Sequence, residues 1–435
     1  MSELAIGFTA IGALLLLLSL RVPIGVSLIG VSFIALWKML GWTIAFKTVG
    51  NISYSFAASW TLSAIPLFLL MGYVAYHAGL TDGLFAAARA WMTRIPGGLA
   101  IASVTGSSVF AAMCGSSIAC AAAMGRIAIP EMTKEGYNPA FASSTVAVAG
   151  TIGALIPPSI VLIIFGVMAE VSIVKLFLGG VGVGLLSALA YIVVILVRVL
   201  INPELAPNRL QSTTWQEKFS SLRDSWPMLL VCVFVFGGLF GGVFTPTEAG
   251  AIGAFLTLLT AVVLRRLSLS GFWAALSESL MTTSTIIIIG VGASIFARML
   301  VFTGVETVIQ DAVLSIGTSQ FALVLVIMAI YLILGMFLEP ISAMLLTLPI
   351  MLPLVGQAGL EYVWFGVFLA KLLEVGMVTP PVGMNIFVIK QVVGNLVTLQ
   401  NLFRGTGWFI LADLVVLLII YFVPDLVMWL PNTVR

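Results

Sequence analysis

The sequence predicts an all-α integral membrane fold built from two inverted repeats, each with one re-entrant helical hairpin and one broken helix. Three observations predict it. Hydrophobic residues make up 61% of the 435 and charged residues only 8%, against roughly a quarter charged in a soluble domain, so the apolar surface exceeds what a water-soluble core could hide and a bilayer must serve as solvent. Runs approaching the about 20 apolar residues that a crossing needs recur along the whole chain. The two halves also share proline and glycine positions in one register.

In order, the apolar runs are 4–20, 22–37, 62–76, 146–168, 176–200, 228–244, 249–264, 285–301, 321–338, 363–388 and 408–423, or about ten passes. No basic residue precedes the first run, the first being Arg21. A cleaved signal peptide carries its positive charge in front, so this run is expected to persist as a helix with its N-terminus outside. Residues 81–94 place Leu84, Ala88 and Trp91 on one helical face with Arg89 near the other, the pattern of an interfacial helix. Its repeat partner is expected near 306–315. The longest polar stretch, 202–225, falls near the middle. It is read as a polar cytoplasmic linker between a first repeat, 1–201, and a second, 226–435.

The repeat rests on spacing. Pro157-Pro158 recurs as Pro380-Pro381, a separation of 380 − 157 = 223, and Gly153/Gly376, Pro23/Pro246, Gly30/Gly253 and Pro130/Pro353 keep it. With a two-residue slip, Gly79 pairs with Gly304 and Ser117 with Ser342. An odd number of crossings per half inverts the second copy, as in many secondary transporters. With five crossings per half and re-entrant segments at 107–124 and 334–352, the inside holds thirteen basic residues (Arg21, Arg89, Arg94, Arg126, Lys134, Arg198, Arg209, Lys218, Arg223, Arg265, Arg266, Lys390 and Arg404). The outside keeps six (Lys38, Lys47, Lys175, Arg298, Lys371 and Arg435). That balance obeys the positive-inside rule.

Several classes are excluded or disfavoured. A net charge of +2 with scattered basic residues gives no nucleic-acid surface. Cys114, Cys120 and Cys232 form no C-x-x-C and read as buried packing residues. His77 is the only histidine, which rules out a histidine metal cluster. There is no G-x-x-x-x-G-K-[ST], H-E-x-x-H or G-x-S-x-G.

Three features then mark a site. In G-x-x-x-P-P (Gly153 to Pro158, Gly376 to Pro381) two prolines in succession break the helix and free carbonyls, which suit a hard cation at mid-membrane. One such pair alone reads as a kink; its recurrence in both halves favours a site. Small polar turns, Cys114 to Ser117 and Glu339 to Ser342, lie at the re-entrant tips, where irregular backbone needs protein or a water-filled cavity to cover it. For Gly106, Ser107 and Ser108, close helix contact is the simpler reading. Charges within apolar runs are Glu170, Glu248, Arg298, Glu339, Lys371 and Glu374. Of these, Glu248 and Glu339 stand out as functional candidates, while Lys371 and Glu374, three apart, are equally readable as a structural ion pair.

The motifs TPTEAGAIGA (245–254), IGALIPPSIVLIIFG (152–166), CGSSIACAAAMGRIAIPEM (114–132) and VGMVTPPVGMNIFV (375–388) together resemble the large membrane subunit of TRAP transporters, the tripartite ATP-independent periplasmic family, nearly end to end. Cys120 departs from the hydroxyl residue expected there. The resemblance implies an elevator-type, Na⁺-driven importer of organic acids in the bacterial cytoplasmic (inner) membrane, with both termini periplasmic. It implies two protein partners, a periplasmic substrate-binding protein and a small four-helix membrane subunit, expected here as a separate polypeptide. Carried onto this chain, one Na⁺ site comprises Gly115, Ser116, Ser117, Gly153, Ile156 and Pro158, and a second Pro340, Ser342, Gly376, Thr379 and Pro381. Substrate would contact Ser116, Ser159, Glu339 and Asn385. The hairpins and broken helices would move as one block against a scaffold of the first two crossings of each half. Sialic acids, C4-dicarboxylates, sugar acids and keto acids all fit as cargo. The alternatives are a stand-alone Na⁺/dicarboxylate symporter of related fold and, behind it, an ion channel, for which no filter-like loop is present; a membrane enzyme ranks last, lacking a nucleophile and base.

Overall fold

A computed structural model describes residues 2–92, 94–207, 214–315 and 319–433, and every regular element among them is helical. The first half runs α1 (Glu3–Ser19), α2 (Ile24–Leu40), α3 (Trp42–Ala57), α4 (Ala64–His77), α5 (Asp82–Met92), α6 (Gly98–Cys114), α7 (Ser117–Lys134), α8 (Pro139–Ala149), α9 (Ile160–Met168) and α10 (Ile173–Ile201). The second runs α11 (Trp215–Phe240), α12 (Pro246–Val263), α13 (Leu269–Thr303), α14 (Val305–Ser315), α15 (Gln320–Phe337), α16 (Pro340–Gln357), α17 (Tyr362–Gly376), α18 (Met384–Val393), α19 (Leu399–Phe422) and α20 (Asp425–Thr433). Among the described residues, seven segments are long and apolar enough to cross a bilayer, which makes this a multi-pass membrane protein.

The order of elements recurs at the spacing read from the prolines. α14 starts 305 − 82 = 223 residues after α5, α16 starts 340 − 117 = 223 after α7, and α17 starts 362 − 139 = 223 after α8. Helix starts follow local chemistry. Side chains of Ser116, Asn138, Ser159, Ser172, Thr245, Ser268 and Thr398 each accept a hydrogen bond from a first-turn N–H, satisfying donors that no helical carbonyl reaches.

Three expectations need correction. Glu248 is no buried charge: it is exposed and closes a capping box with Thr245, whose backbone N–H it accepts at 2.8 Å. Threonine followed three residues later by glutamate is a helix-start signature. The linker is also shorter than its polarity suggests, because α11 begins at Trp215. There Lys218 lies 4.9 Å from the Trp215 ring centroid and 5.4 Å from that of Trp91, so aromatic faces hold the cation and permit a helix. Residues 208–213, with Arg209, and Arg435 lie outside the described residues. Finally, α3 and α20 lie outside the apolar runs: α3 is interrupted by Lys47, Asn51 and several hydroxyl residues, and α20 is only 9 residues long.

Small residues set the packing of the long helices. α13 lies along α2 and α4. A Cβ added at Gly292 would sit 2.8 Å from Leu28 Cβ and 3.0 Å from the Gly25 carbonyl oxygen, so the two helices approach at backbone distance, as small residues allow in membranes. Gly292→Val is therefore expected to cost about 1–3 kcal/mol, measured as a lower melting temperature of the detergent-purified protein. Gly12→Val, at a position with no neighbouring atom within 4 Å, should leave it unchanged.

Candidate functional site

The first hairpin turns at Gly115 and Ser116, between α6 and α7. Gly115 has φ +60°, a left-handed conformation that favours glycine, and a Cβ there would collide with the carbonyl oxygen of Pro158. A Cβ at Gly153 would lie 3.0 Å from the Ser116 carbonyl oxygen. Tip and break are thus stacked backbone on backbone, and the Ile160 N–H donates to the Gly115 carbonyl at 3.5 Å. α8 tightens into a 3-10 turn, Gly150–Ala154, before the cis Pro157-Pro158 peptide. Ser159 spans the break: its hydroxyl donates to the Ala154 carbonyl at 2.5 Å and caps α9 through the Leu162 N–H. Of the residues assigned to the first cation site, Gly115, Ser116, Gly153 and Pro158 are in mutual proximity. Ser117 adjoins them, its hydroxyl donating to Glu374 at 3.1 Å, while Ile156 follows the 3-10 turn, its side chain against α10 near Gly184.

The second hairpin turns at Leu338 and Glu339. Ser342, buried, donates its hydroxyl to the Glu339 carboxylate at 2.9 Å. Pro340 occupies the first turn of α16, where its missing N–H costs nothing. At the break after α17, a Cβ on Gly376 would lie 2.6 Å from Gly335 Cα, so α15 crosses the break at glycine. Thr379 donates to the Val375 carbonyl at 2.6 Å. Pro381, whose bond to Pro380 is also cis, is exposed, in contrast to the buried Pro157 and Pro158. Asn385 sends its backbone N–H to the Met377 carbonyl at 3.1 Å, and its buried side-chain amide has no hydrogen-bond partner.

The two tips meet at a cavity of about 460 Å³. Its wall includes Cys114 to Ala119 of the first tip, Glu339 to Ile341 of the second, Ile160 and Val161 of α9, and Glu374. Tyr73, Tyr76, Arg126, Glu278 and Thr282 complete its polar lining. Ser116 and Glu339, assigned to substrate, therefore face the cavity, whereas Ser159 and Asn385 do not line it. Three helix N-termini, those of α7, α9 and α16, open on this one space. Glu170 and Arg298 lie elsewhere, both exposed.

Lys371 and Glu374 do not pair with each other. Lys371 forms an ion pair with Asp413 of α19 and donates to the Tyr191 hydroxyl at 3.2 Å; Tyr191 reaches Asp413 at 3.0 Å and Thr151, in the 3-10 turn, at 3.0 Å. Lys371, Asp413 and Tyr191 are 0% exposed, so the network ties α17, α19, α10 and the first break inside the protein. Glu374, freed of Lys371, faces the tip at Ser117. Asp413 escaped the sequence reading although it too interrupts an apolar run, and no local spacing links it to Lys371.

Two hairpin tips and two broken helices enclose one cavity within a bundle of apolar helices long enough to cross a bilayer, an arrangement suited to a transport protein. Residues 11–426 match the family described as "Tripartite ATP-independent periplasmic transporter, DctM component", and the chain belongs to that family, whose members are transporters rather than enzymes. It is 37% identical over 374 residues to the large permease protein DctM of the C4-dicarboxylate TRAP transporter of Pseudomonas aeruginosa, covering 86% of each chain. It is 34% identical over 425 residues to the isethionate TRAP permease DctMQ of Oleidesulfovibrio alaskensis, covering 96% of this chain and 65% of that one. To the sialic acid TRAP large permease SiaM of Vibrio cholerae it is 32% identical over 420 residues, 96% of both. Among solved structures, the Alcanivorax borkumensis YdaH transporter superposes with a TM-score of 0.61 at 14% identity, covering 88% of this chain and 89% of that one, a likeness of fold.

Removing one member of a buried pair strands the other charge, at a cost of about 3–5 kcal/mol. Asp413→Ala should lower the melting temperature of the purified protein accordingly. The double change Lys371→Met with Asp413→Leu should recover most of that loss.

Proposed function

We propose that this chain is the large permease subunit of a Na⁺-coupled, binding-protein-dependent importer of organic acids, moving its hairpins and broken helices as an elevator block. The observation that carries the reading is the convergence of three helix N-termini, of α7, α9 and α16, on one cavity between two tips. First-turn N–H groups and the positive ends of helix dipoles favour an anion there. The relatives' cargoes, a C4-dicarboxylate, isethionate and sialic acid, share an acidic group, which supports an organic acid here.

For the cation, support comes from the crowding of carbonyls at the first break, where Pro158 and Ser116 oxygens occupy the space that side chains on Gly115 and Gly153 would fill. Carbonyls freed by paired prolines suit Na⁺. Gly115, Ser116, Ser117, Gly153, Ile156 and Pro158 would form one site, and Pro340, Ser342, Gly376, Thr379 and Pro381 the other. Na⁺ would fix the tips against the breaks and so build the substrate pocket. The glycine at position 72 of α4, whose added Cβ would lie 2.7 Å from Cys114 Cα, lets α4 and the first tip meet at backbone distance. The recurrent element order supports the inverted repeat. Partners would be a periplasmic binding protein and a small membrane subunit, the latter fused to the large one in the DctMQ relative that this chain only partly spans; the setting would be the bacterial inner membrane, both termini periplasmic.

The test is uptake of candidate acids by proteoliposomes holding this chain, the small subunit and the binding protein, with and without an inward Na⁺ gradient. Uptake should need all three proteins and Na⁺, and Ser117→Ala and Thr379→Ala should each raise the half-saturating Na⁺ concentration about tenfold, as expected for losing one hydrogen-bond-strength ligand to a charge. Uptake by this chain alone, or flux indifferent to Na⁺, would sink the proposal.

A further inference from the structure

The cavity holds one charge that the cation sites and the hairpin tips do not use. Arg126 lies on α7, nine residues beyond Ser117 and so about 14 Å along the helix axis. Its side chain is long, and helical side chains lean toward the N-terminus, which turns the guanidinium back toward the tip. It is exposed to the cavity and donates from Nη1 to the Tyr76 hydroxyl at 2.6 Å, with its guanidinium carbon 5.9 Å from the Tyr76 ring centroid. Among the described residues no carboxylate pairs with it. The acids around the same cavity are already engaged: Glu278 with His77 at 3.3 Å, Glu339 with Ser342, and Glu374 with Ser117. Arg126 is also the only cationic side chain in the described lining.

We infer that Arg126, held by Tyr76, is an anion subsite at the end of the cavity away from the tips, and that it receives the acidic group of the transported molecule and selects for it. This rests on the organic-acid reading above. The chemistry is partitioned along the cavity. At the tips Glu339 and Glu374 are engaged by the hydroxyls of Ser342 and Ser117, whereas the Arg126 guanidinium offers a planar fork of N–H donors that matches a carboxylate in two parallel bonds. Tyr76 supplies an aromatic face and a hydroxyl, both neutral, which orient the fork without cancelling its charge. An exposed arginine that faces a cavity, with no carboxylate of its own among the described residues, keeps its charge available to an anion.

The experiment follows thermal stabilisation of the purified full chain, in saturating Na⁺, by succinate, N-acetylneuraminate and isethionate. At least one acid should stabilise the wild type. Arg126→Gln should need about tenfold or more of that acid for the same shift, the scale of a lost charge-assisted bond. Arg126→Lys should fall between, because a point charge replaces a fork, and Tyr76→Phe, which keeps the ring, should show a smaller loss. The Na⁺ dependence of melting should be unchanged in all three. A wild type stabilised by none of the acids, or an Arg126→Gln chain with wild-type acid dependence, overturns the proposal. In the three-protein uptake assay, equal acid affinity of wild type and Arg126→Gln would overturn it while leaving the Na⁺-coupled reading intact. Absence of any import by the wild type would instead undo that reading, with acid stabilisation sensitive to Arg126 still supporting the subsite.

Discussion

Inside hydrocarbon every peptide N–H and C=O must find its partner within the protein, and the architecture follows from how this chain meets that demand where its helices stop. At the first tip and first break, each irregular segment covers the other. The Gly115 carbonyl accepts from Ile160, and the Ser159 hydroxyl bridges the Ala154 carbonyl to the N–H of Leu162. Such closure tolerates no extra atom at Gly115 or Gly153. The second break is closed differently, by the Asn385 N–H on the Met377 carbonyl, and its Pro380 and Pro381 stay exposed. Two Pro-Pro breaks alike in sequence are therefore closed in two ways, one sealed and one open.

Electrostatics divides the same region into a face that holds the protein together and a face that meets the cavity. Two ionisable residues one helical turn apart on α17 separate the roles. Lys371 turns inward to Asp413, Tyr191 and Thr151, while Glu374 reaches Ser117 at the tip. Low polarity makes each such choice consequential, because a buried charge without its partner costs several kcal/mol. The inward network reaches the first break through Thr151, two residues before Gly153, so ion pairing in one half fixes the backbone of the other.

Much of this was legible in the sequence, for a physical reason: membrane crossings are long and apolar, and paired prolines break helices wherever they fall. Runs 4–20, 176–200 and 408–423 correspond to α1, α10 and α19, and both hairpin turns fall where small polar residues interrupt apolar runs. Partner choice was not legible. Local spacing joins Lys371 to Glu374, but the actual partner lies 42 residues away, and only the packing of α17 against α19 brings it near. Glu248 shows that an acid in a neutral setting need not be a buried charge: the threonine three residues earlier makes it a helix cap, a signature that is local in the sequence. Arg126 counted only as one more inside positive charge, since nothing in the sequence places it across from Tyr76.

The Lys371 pair also constrains how the protein is made. Synthesis delivers α17 to the membrane before α19 exists, so Lys371 first meets the bilayer without Asp413, and Tyr191, made 180 residues earlier, is neutral. A lone lysine at the centre of an inserting helix costs about 2.5–3.5 kcal/mol on insertion scales. α17 is only 15 residues long and stands outside the seven apolar spans. The Lys371–Asp413 pair can form only once α19 has been made, so the network that reaches Thr151 beside the first break is completed by one of the last helices of the chain.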